Sequence, residues 1–579
     1  MTLPETNVNI PPCEALEPRR MLSSSTLRSP DEFAAEHLTA KDVRVILAQA
    51  ASQAGANQTI VVSDREGIVL GAFRMSGVAS DDLNFYLGKA TARARTAALF
   101  SSTGEAFTTR TARFIVQDHF PHPVANTPGG PLYGVEFSSL PSSDVLSSIQ
   151  KELPAGALPL NISGDPGGIP LYKNGIPVGG IGVAGDGHDI AFRQDFLRIG
   201  RLLPKSARKL AQKIAADNPN NEFFTGREES DVDEQVALAG ARDYMAPVAI
   251  RAPRIFIDGL SLPFTADQPA AANPTRNLAA LTTAGVGSIT TAATDCPDAP
   301  YPAVTIAGVA GQFKNPSVAG FGLRDSNDTR HGGIPDRFKL TTADVEGIIA
   351  DAVRQAIQTR AGIRLPTGLA ARVHVAVVDT TGDVLGVFRM NDGTNFSYDV
   401  AVQKARTTAF FSDSSHAFSN RAVGFVAQAF LPPGISNAPT GPLFQLQDDF
   451  SLRPNNFAAQ TPVGGIDNPL RNGLTIFPGG VPLYRKGRLI GAIGVSGDGV
   501  DQDDLIAYAG AGVFQAPKPI RTDHISQGEL TRFLLTRVES LANQYELPAE
   551  RIDFMRTRLE AQLDGIRLPY VKFPRNYEL

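Results

Sequence analysis

Tryptophan is absent from the 579 residues, and cysteine occurs only twice, at Cys13 and Cys296. Two thiols so far apart form no disulfide framework and match no zinc-ligand spacing, so no metal site is expected. A surplus of positive charge is missing too. The net charge of -5 gives no electrostatic footprint for nucleic acid. No apolar run approaches the ~20 residues that a helix needs to span a bilayer. What is present, 42% hydrophobic and 20% charged residues, is an ordinary globular composition over more length than one core uses.

The chain repeats itself. Gly479 to Asp504 (GGVPLYRKGRLIGAIGVSGDGVDQDD) restates Gly167 to Asp189 (GGIPLYKNGIPVGGIGVAGDGHD) at a constant offset of 312 residues. Short apolar runs on either side of Asn174-Gly175 and Lys486-Gly487 predict a β-hairpin in each copy. Upstream, Leu38-Thr39 and Leu340-Thr341 open helices with apolar stripes at Val43/Ile46/Leu47/Ala50 and Val345/Ile348/Ile349/Val353. The pattern VVxD…G…LGxFRM then predicts two strands per copy, and a helix ends in ARTAALF or ARTTAFF. In the second copy Tyr398, Val402, Ala405 and Ala409 line one face of that helix, with Lys404 and Arg406 pointing elsewhere. Asp501 or Asp503 is expected to cap the helix that follows the hairpin.

Each copy reads helix, strand, strand, helix, loop, strand, strand, helix. Hairpin-joined strands imply an antiparallel sheet covered by helices, an α+β fold. The expected division is a disordered segment over 1–37, a first domain over 38–262 with a helical insertion at about 190–232, and a Pro/Gly/Ala-rich linker over 263–339. A second domain over 340–525 and a helical hairpin with tail over 526–579 complete it. In the hairpin, Leu547-Pro548 breaks two stripes, Leu530/Leu534/Val538/Leu541 and Ile552/Met555/Leu559/Leu563.

Few residues point to chemistry. Gly180 to Gly185 satisfies GxGxxG, but the second copy has Ala492 at the first glycine, and the motif lies in a hairpin rather than a βαβ unit. The aspartates at 498, 501, 503 and 504 lack the glutamate of a calcium loop. No histidine is shared by the copies: His119 faces Phe430, His416 faces Glu105, His188 faces Val500 and His374 faces Thr59. No catalytic constellation recurs. The shared polar residues are Arg74/Arg389, Arg93/Lys404, Arg95/Arg406, Arg110/Arg421 and Tyr172/Tyr484. Arginine forks clamp carboxylates, and tyrosine can ligate ferric haem.

In this order, VAVVD–G–VLGVFRM, KARTTAFF and GGVPLYRKGRLIGAIGVSG resemble the GlcG/HbpS haem-binding family, over about 38–190 with 233–255 and over 340–520. The resemblance implies two tandem α/β sandwich domains, each with a central antiparallel sheet flanked by helices, and frequent oligomerisation. It also implies haem or a related small-molecule ligand, while the shared arginines leave a small carboxylate open as the ligand. The expected site lies between the helix of Lys404/Arg406 and the glycine hairpin, with Arg389, His416, Arg421, Tyr484, Gly494 and Gly497 around it. Copy one would match with Arg74, Arg93, Arg95, His119, Tyr172, Gly182 and Gly185. A haem-handling protein without enzymatic activity is the first expectation. A carrier or enzyme for a small hydroxy acid, and a purely structural module, remain as alternatives. Leu16-Glu17-Pro18-Arg19-Arg20-Met21-Leu22 resembles the LEPR-XLL segment and would imply export, although no signal-peptide pattern precedes it. On this reading, Lys404→Ala with Arg406→Ala weakens binding in the second copy without unfolding it.

Overall fold

The computed structural model describes residues 36–80, 82–117, 120–121, 124, 126–135, 138–139, 143–146, 162–186, 230–269, 274–297, 301–326, 335–447, 467–545, 547, 549–563 and 566–572. The LEPR-XLL-like segment, His119, His188 and nearly all of the expected insertion lie outside them.

Copy one comprises α1 (Ala40–Ala51), β1 (Thr59–Asp64), β2 (Val69–Met75), α2 (Leu83–Leu99), α3 (Thr109–Ile115), β3 (Gly168–Lys173), β4 (Ile176–Ala184) and α4 (Val232–Gly240). Next come the short strands β5 (Phe256–Ile257) and β6 (Leu260–Ser261), then α5 (Leu278–Thr283), β7 (Gly287–Thr291), β8 (Ala303–Ile306) and β9 (Val309–Phe313). Copy two follows with α6 (Thr342–Ala356), β10 (His374–Val378), β11 (Val384–Met390), α7 (Ser397–Phe410), α8 (Asn420–Val426), β12 (Gly480–Arg485), β13 (Arg488–Ser496) and α9 (Val500–Ala511). A helical hairpin, α10 (Gln527–Tyr545) and α11 (Ala549–Gln562), closes the chain.

Among the described residues two large antiparallel sheets result, in the orders β3-β4-β1-β2-β7 and β12-β13-β10-β11-β9-β8, beside the two-stranded pair β5-β6. The fold is therefore two tandem α/β sandwiches. The segment between the copies is more than a tether, because β7 extends the first sheet while β8 and β9 extend the second. Strand alternation sorts the core. Ile60, Val62, Phe73, Ile181 and Val183 pack with α1 and α4, while Val61 and Ala72 face α2 on the opposite side. Both opening helices carry the capping box that Thr39/Asp42 and Thr341/Asp344 promise, and their apolar stripes are buried. The last helix departs from expectation. α9 starts one residue before Asp501: its N-cap is Gly499, which has no side chain, while Asp501, Asp503 and Asp504 lie inside the helix and pair with Arg421 and Lys404.

The copies join along a charged and aromatic seam. An arm between α6 and β10 carries Arg364, which is buried against both copies. Its Nε donates to Asp498 at 2.7 Å and its Nη1 to Asp392 at 2.6 Å and to Ser102 of copy one at 3.1 Å. Asp392 also accepts from the Thr103 amide at 3.0 Å, and Glu66 of copy one bridges Lys314 and Arg389 at 2.8 and 3.1 Å. Phe100 stacks on Phe396 with ring centroids 4.4 Å apart. In return, Asp144 of copy one reaches Arg406 at 2.7 Å and Arg471 at 2.9 Å.

The motif aspartates close the first hairpin of each copy. Asp64 accepts from the amides of Glu66 and Ile68 at 2.9 and 2.8 Å, and Asp379 does the same for Thr381 and Asp383. Burial pushes the Asp64 carboxyl up to about 7, from an ordinary value near 4. The folded chain therefore binds a proton between about pH 4 and 7 that the unfolded chain does not. This stabilisation is full below pH 4 and lost as pH rises through 7. Asp64→Asn, which cannot titrate, should remove that part of the fall. Urea midpoints of both proteins across this window read the difference, and parallel profiles would refute it.

Candidate functional site

α7 is buried on all sides, with Lys404 and Arg406 as fully enclosed as its apolar residues, so neither cation faces solvent or a large cleft. Buried ammonium and guanidinium groups need acidic partners at contact distance. Lys404 Nζ donates to Asp503 at 2.8 Å and to the Val495 carbonyl at 2.7 Å. Arg406 is held by Asp144, by the Asn472 side chain at 2.8 Å and by the Gly382 carbonyl at 2.8 Å. Copy one repeats the scheme: Arg93 pairs with Asp233 at 2.7 Å, and Arg95 Nε donates to the Gly67 carbonyl at 2.7 Å. Arg110 meets Glu234 at 2.8 Å, as Arg421 meets Asp504 at 2.6 Å and Asp501 at 2.7 Å.

The expected slot between α7 and the glycine hairpin is closed. A Cβ at Gly494 would lie 2.0 Å from the Ala401 carbonyl oxygen, and one at Gly182 would lie 2.0 Å from that of Ala90. These glycines let helix and strand touch backbone to backbone, which also accounts for the GxGxxG spacing. Gly185 and Gly497 sit against backbone in the same manner.

The other expected residues are dispersed. Tyr172 donates its hydroxyl to the carbonyls of Ser102 and Glu105, and Tyr484 to those of Asp413 and His416. Burial raises both phenols, so neither offers a phenolate. His416 lies 3.0 Å from Asp413 and 3.5 Å from Glu529, stacked on Phe533 at 4.1 Å. Arg389 faces Glu66 and the Gly393 carbonyl, and Arg74 reaches Ser288 at 2.9 Å.

One cavity unites Lys404 and Gly497 with residues the sequence does not mark. It measures about 50 Å³ and lies between the copies. Phe100, Phe107 and Leu132 of copy one and Phe396, Val400 and Phe477 of copy two form its apolar wall. Lys404, Asp503 and Ser496 supply its polar end. Burial lifts the Asp503 carboxyl to about 6 in spite of Lys404, and its Oδ1 is buried without a hydrogen-bond partner. Copy one differs here. Gln58 donates to the matching oxygen of Asp233 at 2.6 Å, and Asp165 stands where copy two has Phe477. The missed residue Asp503 had a sequence signal. Asp233 and Glu234 recur as Asp503 and Asp504 at an offset of 270, in step with the paired cations.

The fold and this cavity define a class, the tandem α/β sandwich with a small, partly open space between its copies. The family model described as "Haem degrading protein HbpS-like" matches residues 36–191 and 340–512, more than half of the chain. The chain belongs to the HbpS-like family. It is 30% identical over 159 residues to an uncharacterized 15.0 kDa protein of the dhaT-dhaS intergenic region of Citrobacter freundii, spanning 27% of this chain and 83% of that protein. To the corrinoid adenosyltransferase PduO of Salmonella typhimurium it is 27% identical over 149 residues, 26% of this chain, and it spans only 34% of PduO. Among solved structures, Klebsiella pneumoniae ORFY is 23% identical with a TM-score of 0.22, covering 33% of this chain and 97% of ORFY. The PduOC:Heme complex is 24% identical with a TM-score of 0.18, covering 30% of this chain and 92% of that one.

Lys404→Ala leaves Asp503 buried beside no cation, which costs about 3–5 kcal/mol for a broken buried pair. The expectation of a selective binding defect is thus replaced by one of lost stability. Adding Asp503→Leu should restore most of the loss. Denaturant midpoints decide it, and a Lys404→Ala protein as stable as wild type would refute the pairing.

Proposed function

We propose that this HbpS-like protein binds a compact oxygenated ligand, a short hydroxy acid, in the cavity between its copies, without chemical turnover. The observation that carries the reading is the unpartnered Oδ1 of Asp503 at the polar end of that cavity. A buried oxygen left without a partner costs about 1–3 kcal/mol, so a ligand that satisfies it is favoured. Copy one fills the same need internally with Gln58. At about 10–15 Å³ per water-sized probe, the space accepts a handful of heavy atoms. Ligand carbons would meet Phe100, Phe396 and Val400, while its carboxylate meets Lys404, a protonated Asp503 and Ser496.

Haem is the second reading, and the description of the family model favours it. The described cavity does not fit haem. Its 50 Å³ falls far below the ~300 Å³ where pockets for larger ligands begin, and no histidine, tyrosine, cysteine or methionine lines it. Tyr172, Tyr484 and His416 are engaged as described above. A role in haem handling would therefore use another part of the chain.

Titration calorimetry with glycolate as probe tests the first reading, and haemin followed at its Soret band tests the second. Glycolate should saturate at one per chain, and Val400→Phe, which fills the cavity, should abolish the heat. Affinity should fall as pH rises through about 6, because ionised Asp503 then neutralises Lys404 and repels the anion. The absence of glycolate heat beside a saturable Soret shift would reverse the choice.

A further inference from the structure

The last segment of each copy repeats, with a connection of different length in front of it. Leu262-Pro263-Phe264 recur as Leu568-Pro569-Tyr570 at an offset of 306, whereas Arg251 recurs as Arg521 at an offset of 270. Both anchors hold equivalent places. Arg251 lies over the Phe264 ring at 5.4 Å, and Arg521 over Tyr570 at 4.7 Å. The Thr108 hydroxyl donates to the Phe264 carbonyl, as that of its counterpart Ser419 does to Tyr570. The Ala266 amide donates to Glu234 at 2.8 Å, and the Lys572 amide to Asp504 at 2.7 Å. One connection therefore closes each copy, over 252–261 in copy one and 522–567 in copy two. In copy two it is the helical hairpin, whose Leu530, Phe533 and Leu534 share a core with Phe411, Phe418 and Val426. In copy one it is the β5-β6 ribbon, and the counterparts Phe100, Phe107 and Ile115 line the inter-copy cavity instead.

Of the ribbon, Ile257 alone reaches that cavity. The partly exposed lining residues mark its mouth: Ile257, Pro131, Leu132, Ile363, Gly499 and Val500. The Leu132 amide is bonded to the Ile115 carbonyl at 3.0 Å, Ile363 precedes Arg364 of the seam, and Val500 opens α9. The ribbon has no such tie. Among the described residues, 256–260 make no hydrogen bond outside the ribbon's own ladder. Its base is held by Ser261 Oγ on the Pro253 carbonyl at 2.9 Å and by the Leu262 amide on the Ile255 carbonyl at 3.1 Å. Neighbouring side chains of a strand point to opposite faces, and Phe256 is 63% exposed. The ribbon thus has the cavity on one side and water on the other.

We propose that the β5-β6 ribbon is the gate of the inter-copy cavity, and that Ile257 is the side chain a ligand passes on entry and exit. The inference rests on the reading of that cavity as a ligand site. Copy two has no matching gate, because the hairpin fills the same place, with Arg537 and Arg551 bonded to the carbonyls of Ser412 and Phe444.

Ile257→Gly in the full chain strips the rim and leaves both anchors, whereas Ile257→Trp enlarges it. With glycolate as probe, exchange broadening of its NMR signal reads the off-rate and calorimetry reads Kd. A gate changes both rates and not their ratio. Ile257→Gly should raise on- and off-rates together by about tenfold with Kd unchanged, and Ile257→Trp should slow both. Rates that stay at the wild-type value in both variants overturn the proposal. So does a Kd that moves while the on-rate stays, which would make Ile257 a wall. A wild-type protein without glycolate heat refutes the ligand reading alone. Xenon, which enters apolar cavities, then carries the same comparison through its own exchange signal, and equal xenon exchange in the three proteins overturns the gate.

Discussion

A cation withdrawn from water has to be met by a carboxylate at contact distance, and the middle of each copy is arranged around that demand. Arg93 and Lys404 lie on the helix that crosses the sheet, and the acids that answer them, Asp233 and Asp503, arrive from the first turn of the last helix. Arg110 with Glu234 and Arg421 with Asp504 add a second tie of the same kind. The Coulombic gain of such pairs does little more than offset desolvation, but removing one partner is severe. The pairs therefore fix where the last helix sits more than they add to stability. The location of the polar end of the inter-copy cavity follows from them.

This explains what was legible in the sequence. Periodicity and turn residues give the helices α1 and α6, both hairpins and the duplication, because these depend on local alternation and on glycine at Gly175 and Gly487. The cations of α7 were visible as shared residues, but a lysine that binds a ligand and one that binds a distant aspartate look alike in one dimension. What separated them was enclosure by copy one, including Asp144 from a stretch with no periodic pattern. Arg364 was equally hidden, since its arm has no counterpart in the first copy. The strands β7 to β9 lay in a segment whose proline, glycine and alanine content reads as linker.

Duplication freed the copies to diverge. Copy one keeps its acid fully satisfied and lends aromatic residues to its neighbour, while copy two retains the unpartnered oxygen of Asp503. Kept in both are the cation–carboxylate pairs and the contacts that hold backbone in place, such as Tyr172/Tyr484 with their carbonyl partners. The differences gather where the copies face each other.

The strands between the copies carry a consequence for how such a chain can be inherited or broken. With β7 paired to β2 and β9 paired to β11, neither half ends at its own repeat boundary. A break at residue 340 would bare the long edge of β11, and one at 262 would bare that of β2, each a row of open amides and carbonyls ready to template on another sheet. A gene fragment carrying one repeat alone would thus yield a sticky product rather than a smaller working one. Once the intervening strands were recruited, the duplication ceased to be reversible by simple loss.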